Sequence, residues 1–378
     1  MTEEERLWLW LNYATGHDAA LFYSVMEQID DLEEALDAVR SKNWDVFEDL
    51  DPSVRNRLAS AAEARFLDRY TGWMEKNGVK IVTPASDDYP VLLEKTEEPP
   101  SVLFYRGTMC SDLKLPIAFA SFAKASDYGK EIARLFGRQI AENGGTVVAG
   151  IDGGIGSAAL RGALECVLSK EPAYGILPCG IDRVPDGEEE LCSELSGRGC
   201  LLTEFLPKTE QEKGVIGRMN RLAKRFSRAM ILIEADTNAK YSGRSSLREE
   251  NGWYAVPGRI SDPCSMVSNR MIKDQYAKPV LEISDILSDF SDYIEAAGME
   301  PANRRSVSFL KLNDLAQRIY MALRQGDKSA EDLEEWVDAK SDEVENMLRK
   351  MMNAEIVRIT AQNLYTIDRC ATVITFGD

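Results

Sequence analysis

The sequence predicts an α/β protein centred on a doubly wound sheet, with a helical segment before it and a small helix-and-strand unit after it. Three observations carry this. Residues 116–258 repeat a strand–helix rhythm. Glycines 150, 153, 154 and 156 stand between a β-branched run (Thr146, Val147, Val148) and a helical pattern. Residues 312–378 hold three helical patterns followed by two short strands. Buried parallel strands alternating with helices build such a sheet, and its ligands bind at the carboxyl ends of the strands.

Residues 1–75 repeat apolar positions at helical spacing, as in Leu7, Trp10, Leu11, Ala14 and in Leu32, Ala35, Leu36, Val39, with Asp/Ser/Pro-containing joints around 41–53. Residues 80–107 alternate brief strands with Pro/Asp turns. Strands are then expected at Ile117–Ser121, Thr146–Ala149, Ala173–Leu177, Leu201–Glu204, Met230–Glu234 and Tyr254–Val256. The helices between them are expected at Tyr128–Asn143, Ser157–Leu168 and Gly217–Arg228. Residues 298–309 have linker composition. Helices Leu312–Leu323, Ala330–Val337 and Ser341–Met352, then strands Ile356–Thr360 and Leu364–Ile367, follow the plan of a winged helix. Its third helix opens with Asp342, Glu343 and Glu345, which phosphates would repel, so the pattern favours protein docking over base reading.

A formal net charge of −18 argues against a protein that coats nucleic acid nonspecifically. Residues 1–100 carry 10 basic and 22 acidic side chains, and residues 311–378 carry 9 and 13. Residues 101–300 are nearly balanced at 24 and 28, so a polyanion would meet the middle of the chain. Seven scattered cysteines without metal-ligand spacing suggest reduced thiols of a cytoplasmic protein. The sole histidine, His17, fits a surface loop, excludes multi-histidine metal sites and disfavours a histidine triad. No apolar run is long enough for a membrane span, and the acidic start is the reverse of a secretory signal. No catalytic constellation, metal site or cofactor is expected. Asp182 and Glu234, near strand ends, fit structural roles.

The glycine run suits either an anion site at a helix N-terminus or a tight strand-to-helix turn. Its spacing is neither the dinucleotide fingerprint nor a P-loop. Arg218, Arg221, Arg225 and Arg228 are spaced three, four and three, on one helix face with Lys224 beside them. That stripe suits a phosphate ladder for single-stranded nucleic acid, or a solvated face paired with acids of another domain.

Together these motifs resemble the DNA-processing protein A family, DprA or Smf, over nearly the whole chain. DDYPVLLEKTEEPPSVLFYRG, VVAGIDGGIGSAALRGALE, LPCGIDRVPD, TEFLP, RMNRLAKRFSRAMILIEA and YAVPGRISDPCSMVSNRMI follow in family order. The resemblance implies a SAM-like or helix-hairpin-helix-like domain at 1–75, an extended Rossmann domain at 76–298, a linker at 299–311 and a winged helix at 312–378. It implies a noncatalytic, cytoplasmic homodimer that binds single-stranded DNA in natural transformation and recombination and loads the recombinase RecA. With the glycine turn and the arginine stripe read from the residues themselves, the candidate DNA or phosphate site is Ser121, Lys124, Gly150, Gly153, Gly154, Arg161, Arg218, Asn220, Arg221 and Arg225. Phe122 is either a stacking platform or core.

Departures accompany it. Ala120-Ser121-Phe122 replaces the family's Gly-Ser-Arg, Gly153 and Gly156 replace its arginine and aspartate, Leu160 replaces its histidine, and Ser-Gly-Ser-Leu-Ile-Thr survives only as YSGRSSLREE (241–250). Lys124 would stand in for the missing arginine as a point charge without the bidentate fork. A nucleotide-derivative sensor or enzyme on the same scaffold is the alternative. The related phosphoribohydrolases carry Pro-Gly-Gly-x-Gly-Thr and a catalytic glutamate, and the glycine turn here lacks both the proline and the threonine-glutamate continuation.

Overall fold

The computed structural model describes the chain except for residues 17, 30, 46, 48–49, 121–124, 168, 212–213, 236–251, 300–305, 309–311, 355, 361–362, 368–371 and 375–378. His17, Ser121, Phe122, Lys124 and the 241–250 stretch therefore lie outside the described residues. Two compact units emerge, Met1–Met299 and Glu300–Asp378.

In the first unit, helices α1 (Glu3–Thr15), α2 (Ala19–Met26), α3 (Leu32–Arg40), α4 (Pro52–Ala61) and α5 (Ala64–Lys76) precede the sheet. Asp18, Asp31 and Asp51 cap the N-termini of α2, α3 and α4, and Thr2 with Glu5 forms a capping box on α1. Trp10 and Leu11 of α1 are fully buried. Asn12 donates to Ser101 Oγ at 2.9 Å, and Ser86 donates to Glu5 at 3.2 Å, joining α1 to the segment that leads into the sheet.

Nine strands form that sheet: β1 (Lys80–Val82), β2 (Leu103–Gly107), β3 (Pro116–Phe119), β4 (Thr146–Gly150), β5 (Tyr174–Ile176), β6 (Cys200–Thr203), β7 (Ala229–Leu232), β8 (Gly252–Ala255) and β9 (Lys278–Pro279). Their order is β1-β2-β6-β5-β4-β3-β7-β8-β9. From β6 to β9 the pairing is parallel, whereas β1 and β2 are added antiparallel beside β6. The brief strands expected in 80–107 are thus an extension of the central sheet. Chain order departs to β4 from one side of β3 and returns through β7 on the other. The crevice at this switch point opens at the carboxyl ends of β3 and β7.

Helices α6 (Val91–Glu94), α7 (Asp127–Glu142), α8 (Ile155–Glu165), α9 (Glu189–Arg198) and α10 (Val215–Arg225) connect these strands, and α11 (Met266–Lys273), α12 (Ile283–Asp289) and α13 (Ser291–Ala296) follow β8. Both faces are covered. Tyr174 and Ile176 of β5 pack with Met219, Leu222 and Phe226 from α10 and its end. Gly175 between them faces the other way, where an added Cβ would lie 2.5 Å from Leu195 of α9.

In the second unit, β10 (Ser306–Ser308) is followed by α14 (Asp314–Leu323), α15 (Ala330–Val337) and α16 (Ser341–Asn353). Strands β11 (Val357–Ile359) and β12 (Tyr365–Ile367) pair antiparallel, and β13 (Thr372–Ile374) pairs parallel with β10. Ile319, Leu323, Leu333, Val344, Leu348 and Ile356 form its core.

Candidate nucleic-acid interface

The β4–α8 connection turns as the glycines predict. Gly153 takes φ +68°, a left-handed conformation that glycine adopts without strain, and Gly154 stands at the N-cap of α8. Four of the N–H groups here, those of Asp152, Gly153, Gly154 and Ser157, are spent inside the turn. Asp152 Oδ1 accepts from Gly154 at 2.8 Å and from Ser157 at 3.2 Å. Ser157 Oγ accepts from Gly153 at 2.9 Å and from Asp152 at 3.2 Å. Gly150 ends β4, and the N–H of the next residue, Ile151, bonds to Ile176. The anion expected at this helix N-terminus is supplied by Asp152.

Neighbouring groups repeat the pattern. Glu234, just past β7, accepts from the Ser126 N–H at 2.9 Å and from its hydroxyl at 2.6 Å, at the N-cap of α7. Arg161 donates to Glu188 at 3.0 Å, so its guanidinium is already paired. Glu188 is buried; burial pushes its carboxyl up, Arg161 and a Ser157 hydrogen bond draw it down, and Asp152 raises it. Asp182 accepts from the Lys208 N–H at 2.6 Å and holds the turn after β6. Among the described residues, the carboxyl edge around the glycine turn is lined by carboxylates, and its one sequence-predicted arginine faces Glu188.

Helix α10 is different. Gly214 at φ +85° sets its start, and Val215, Met219, Leu222 and Ala223 face the core. Arg218 and Arg221 are exposed and Asn220 is half-buried. The Arg218 guanidinium lies 5.7 Å from the Phe205 ring centroid, a cation–π distance. Arg225 donates to the carbonyls of Glu97 and Glu98, each at 3.2 Å. Lys224 is buried rather than beside the stripe.

Arg228 does not extend the stripe. The helix stops at Arg225 because the chain must turn to enter the sheet. The Arg228 N–H bonds to Pro116 at 2.8 Å as β7 begins, and its guanidinium stacks 4.3 Å from the Tyr293 ring centroid. The predicted ladder therefore reduces to exposed Arg218 and Arg221, with Arg225 anchored beside them.

Glu204 completes the group and was not singled out from the sequence. Burial pushes its carboxyl up, while Arg221, Arg225 and Arg218, in that order, pull it down. A sequence signal existed: an acid ends a buried strand pattern shortly before the arginine-rich helix.

Comparison with known proteins assigns the family. A family model described as DNA recombination-mediator protein A matches residues 80–291. The chain belongs to that family. The match starts at the first residue of β1 and stops at the start of α13, so α1–α5 and the second unit lie outside it. The DNA processing protein DprA of Bacillus subtilis is 23% identical over 230 residues, covering 60% of this chain and 76% of that protein. A putative DNA processing protein DprA of Mycobacterium tuberculosis is 27% identical over 290 residues, covering 71% and 73%. The X-ray structure of DprA from Streptococcus pneumoniae superposes with a TM-score of 0.62 at 20% identity, over 75% of this chain and 97% of that one, which shows a shared fold. Membership of the DNA recombination-mediator family places this chain in DNA processing and recombination. Among the described residues no group of three or more His, Cys, Asp or Glu could hold a metal ion, and no helix is long and apolar enough to cross a membrane.

Proposed function

We propose that this chain is a noncatalytic recombination mediator that binds single-stranded DNA through the outer face of α10. The observation that carries it is the pair of exposed arginines, Arg218 and Arg221, on a chain whose net charge is −18. Phosphates are the ligand such a pair suits, and single strands also offer base faces for the exposed Arg218 guanidinium to stack on. Ser121 and Lys124, which lie between β3 and α7 in the sequence, are proposed as further contacts. Gly150, Gly153, Gly154 and Arg161 take a supporting part: Gly150 ends β4, Ser157 holds the Gly153 N–H, Asp152 holds that of Gly154 and Glu188 holds Arg161, so they shape the edge along which the strand passes. Family resemblance extends the reading to a cytoplasmic homodimer that loads RecA during natural transformation, and the acidity of the two end domains supports a protein-docking role for them.

The nucleotide-derivative alternative needs a phosphate at a helix N-terminus. Asp152 at α8 and Glu234 at α7 already occupy those positions, which weighs against it. Fluorescence anisotropy with a labelled oligothymidylate tests the proposal. The chain should bind at low salt, and Arg218→Ala with Arg221→Ala should weaken binding about a hundredfold or more, since each charge-assisted contact contributes roughly 1.5–3 kcal/mol. Absence of binding at low salt, or binding that the double variant leaves unchanged, would overturn it. Loading of RecA onto strands coated with single-strand-binding protein tests the mediator step.

A further inference from the structure

Helix α15 carries its one tryptophan on the outside. Leu333 and Val337 enter the core of the second unit, whereas Trp336 is 45% exposed. Tryptophan offers a large apolar surface, so covering it in a complex would be favourable. Its surroundings are acidic. Residues 331–343 contain seven Asp or Glu and one lysine, Lys340.

Some of these acids have local duties. Asp332 accepts from Ser329 in the α15 capping box, and Asp342 and Glu343 suit the first turn of α16. Glu335 has no such reason. It stands in the last turn of α15, where the helix dipole disfavours negative charge, and Asp338 beside it is the C-cap, in the left-handed conformation (φ +46°) that aspartate tolerates. Both are exposed, and they flank Trp336 in sequence. Both charges stand against the dipole beside a half-exposed indole.

We propose that the Trp336 face of α15, with Glu335 and Asp338, docks an arginine-bearing basic segment of a partner protein. An arginine is the side chain this face fits best. Its guanidinium stacks on indole by cation–π attraction and pairs with carboxylates through its fork of donors. Nucleic acid is the wrong occupant, because phosphates would meet only carboxylates there.

The full chain and a fluorescein-labelled peptide of alternating arginine and glycine provide the test, read by anisotropy. The peptide should bind. Trp336→Ala should weaken it about threefold to fivefold, the size of an exposed cation–π contact, and Trp336→Phe should recover most of that loss. Glu335→Gln with Asp338→Asn should weaken it about tenfold while leaving the melting temperature equal or higher, because the replaced charges oppose the dipole. A control pair, Glu33→Gln with Glu34→Gln, two exposed acids of α3, removes the same charge elsewhere and should leave peptide binding unchanged. Equal loss in the control pair would mean that the peptide follows net charge alone, and the proposal fails. It fails also if the peptide does not bind at low salt, or if Trp336→Ala weakens oligothymidylate binding instead.

Discussion

Glu142 lies buried near the end of α7, with Arg138 Nε 3.6 Å from its carboxylate and Glu165 of α8 nearby. Burial pushes its carboxyl up to about 7, with Arg138 opposing and Glu165 reinforcing the shift. An acid whose folded value is raised stabilises the fold in its protonated form. That contribution is complete below the unfolded value near 4.5 and is lost as pH rises to about 7. Glu142→Gln is therefore expected to raise stability at pH 8 by about 1–3 kcal/mol and to do little at pH 4, measured by urea denaturation at both values. A second residue acts on binding. Glu204 stands among the α10 arginines and offsets their charge when ionised, so Glu204→Gln should tighten oligothymidylate binding about threefold to tenfold in the same anisotropy experiment. The arginines were legible in the sequence because helical spacing is local. Glu204 was not, because its company depends on how the β6–α10 connection folds back.

At the scale of elements, α7 and α8 approach closely through two glycines. A Cβ on Gly162 would lie 1.9 Å from the Arg134 carbonyl oxygen, and one on Gly137 would lie 2.1 Å from that of Ala159. Gly162→Ala should force these helices apart and cost about 1–3 kcal/mol, visible as a lower urea midpoint with the slope unchanged. Asp152→Ala should remove the α8 cap and cost about 0.5–2 kcal/mol in the same measurement. The alternation of elements was readable from the residues alone: the six strands expected between 117 and 256 all form, with ends displaced by two residues or fewer. Buried strands and amphipathic helices announce themselves by period. The purpose of the glycines did not, since an anion-binding turn and a self-capped turn need the same backbone. Only the carboxylate of Asp152 tells them apart.

For the molecule as a whole, charge decides how binding responds to salt. Four phosphate contacts would give a log-affinity versus log-salt slope of about −2.8 on a single strand, whereas two give about −1.4. With Arg225 held by the Glu97 and Glu98 carbonyls and Lys224 buried, the shallower slope is expected from α10. A salt series with oligothymidylate measures it, and a steep slope would place additional cations on the strand, Lys124 first among them.

The sheet's outermost strands govern a different matter, the risk of runaway self-association. On one side β9 has only two residues, exposed Lys278 and Pro279, and proline offers no N–H to a newcomer. On the other, β1 is three residues long and begins with exposed Lys80. Neither border can template a long ladder with a second copy, so the broad hydrophobic interior of this sheet is sealed against fibre-like stacking at both ends. Replacing Lys278 and Pro279 with valines should remove that safeguard at one border. Faster growth of light scattering on incubation would register the change.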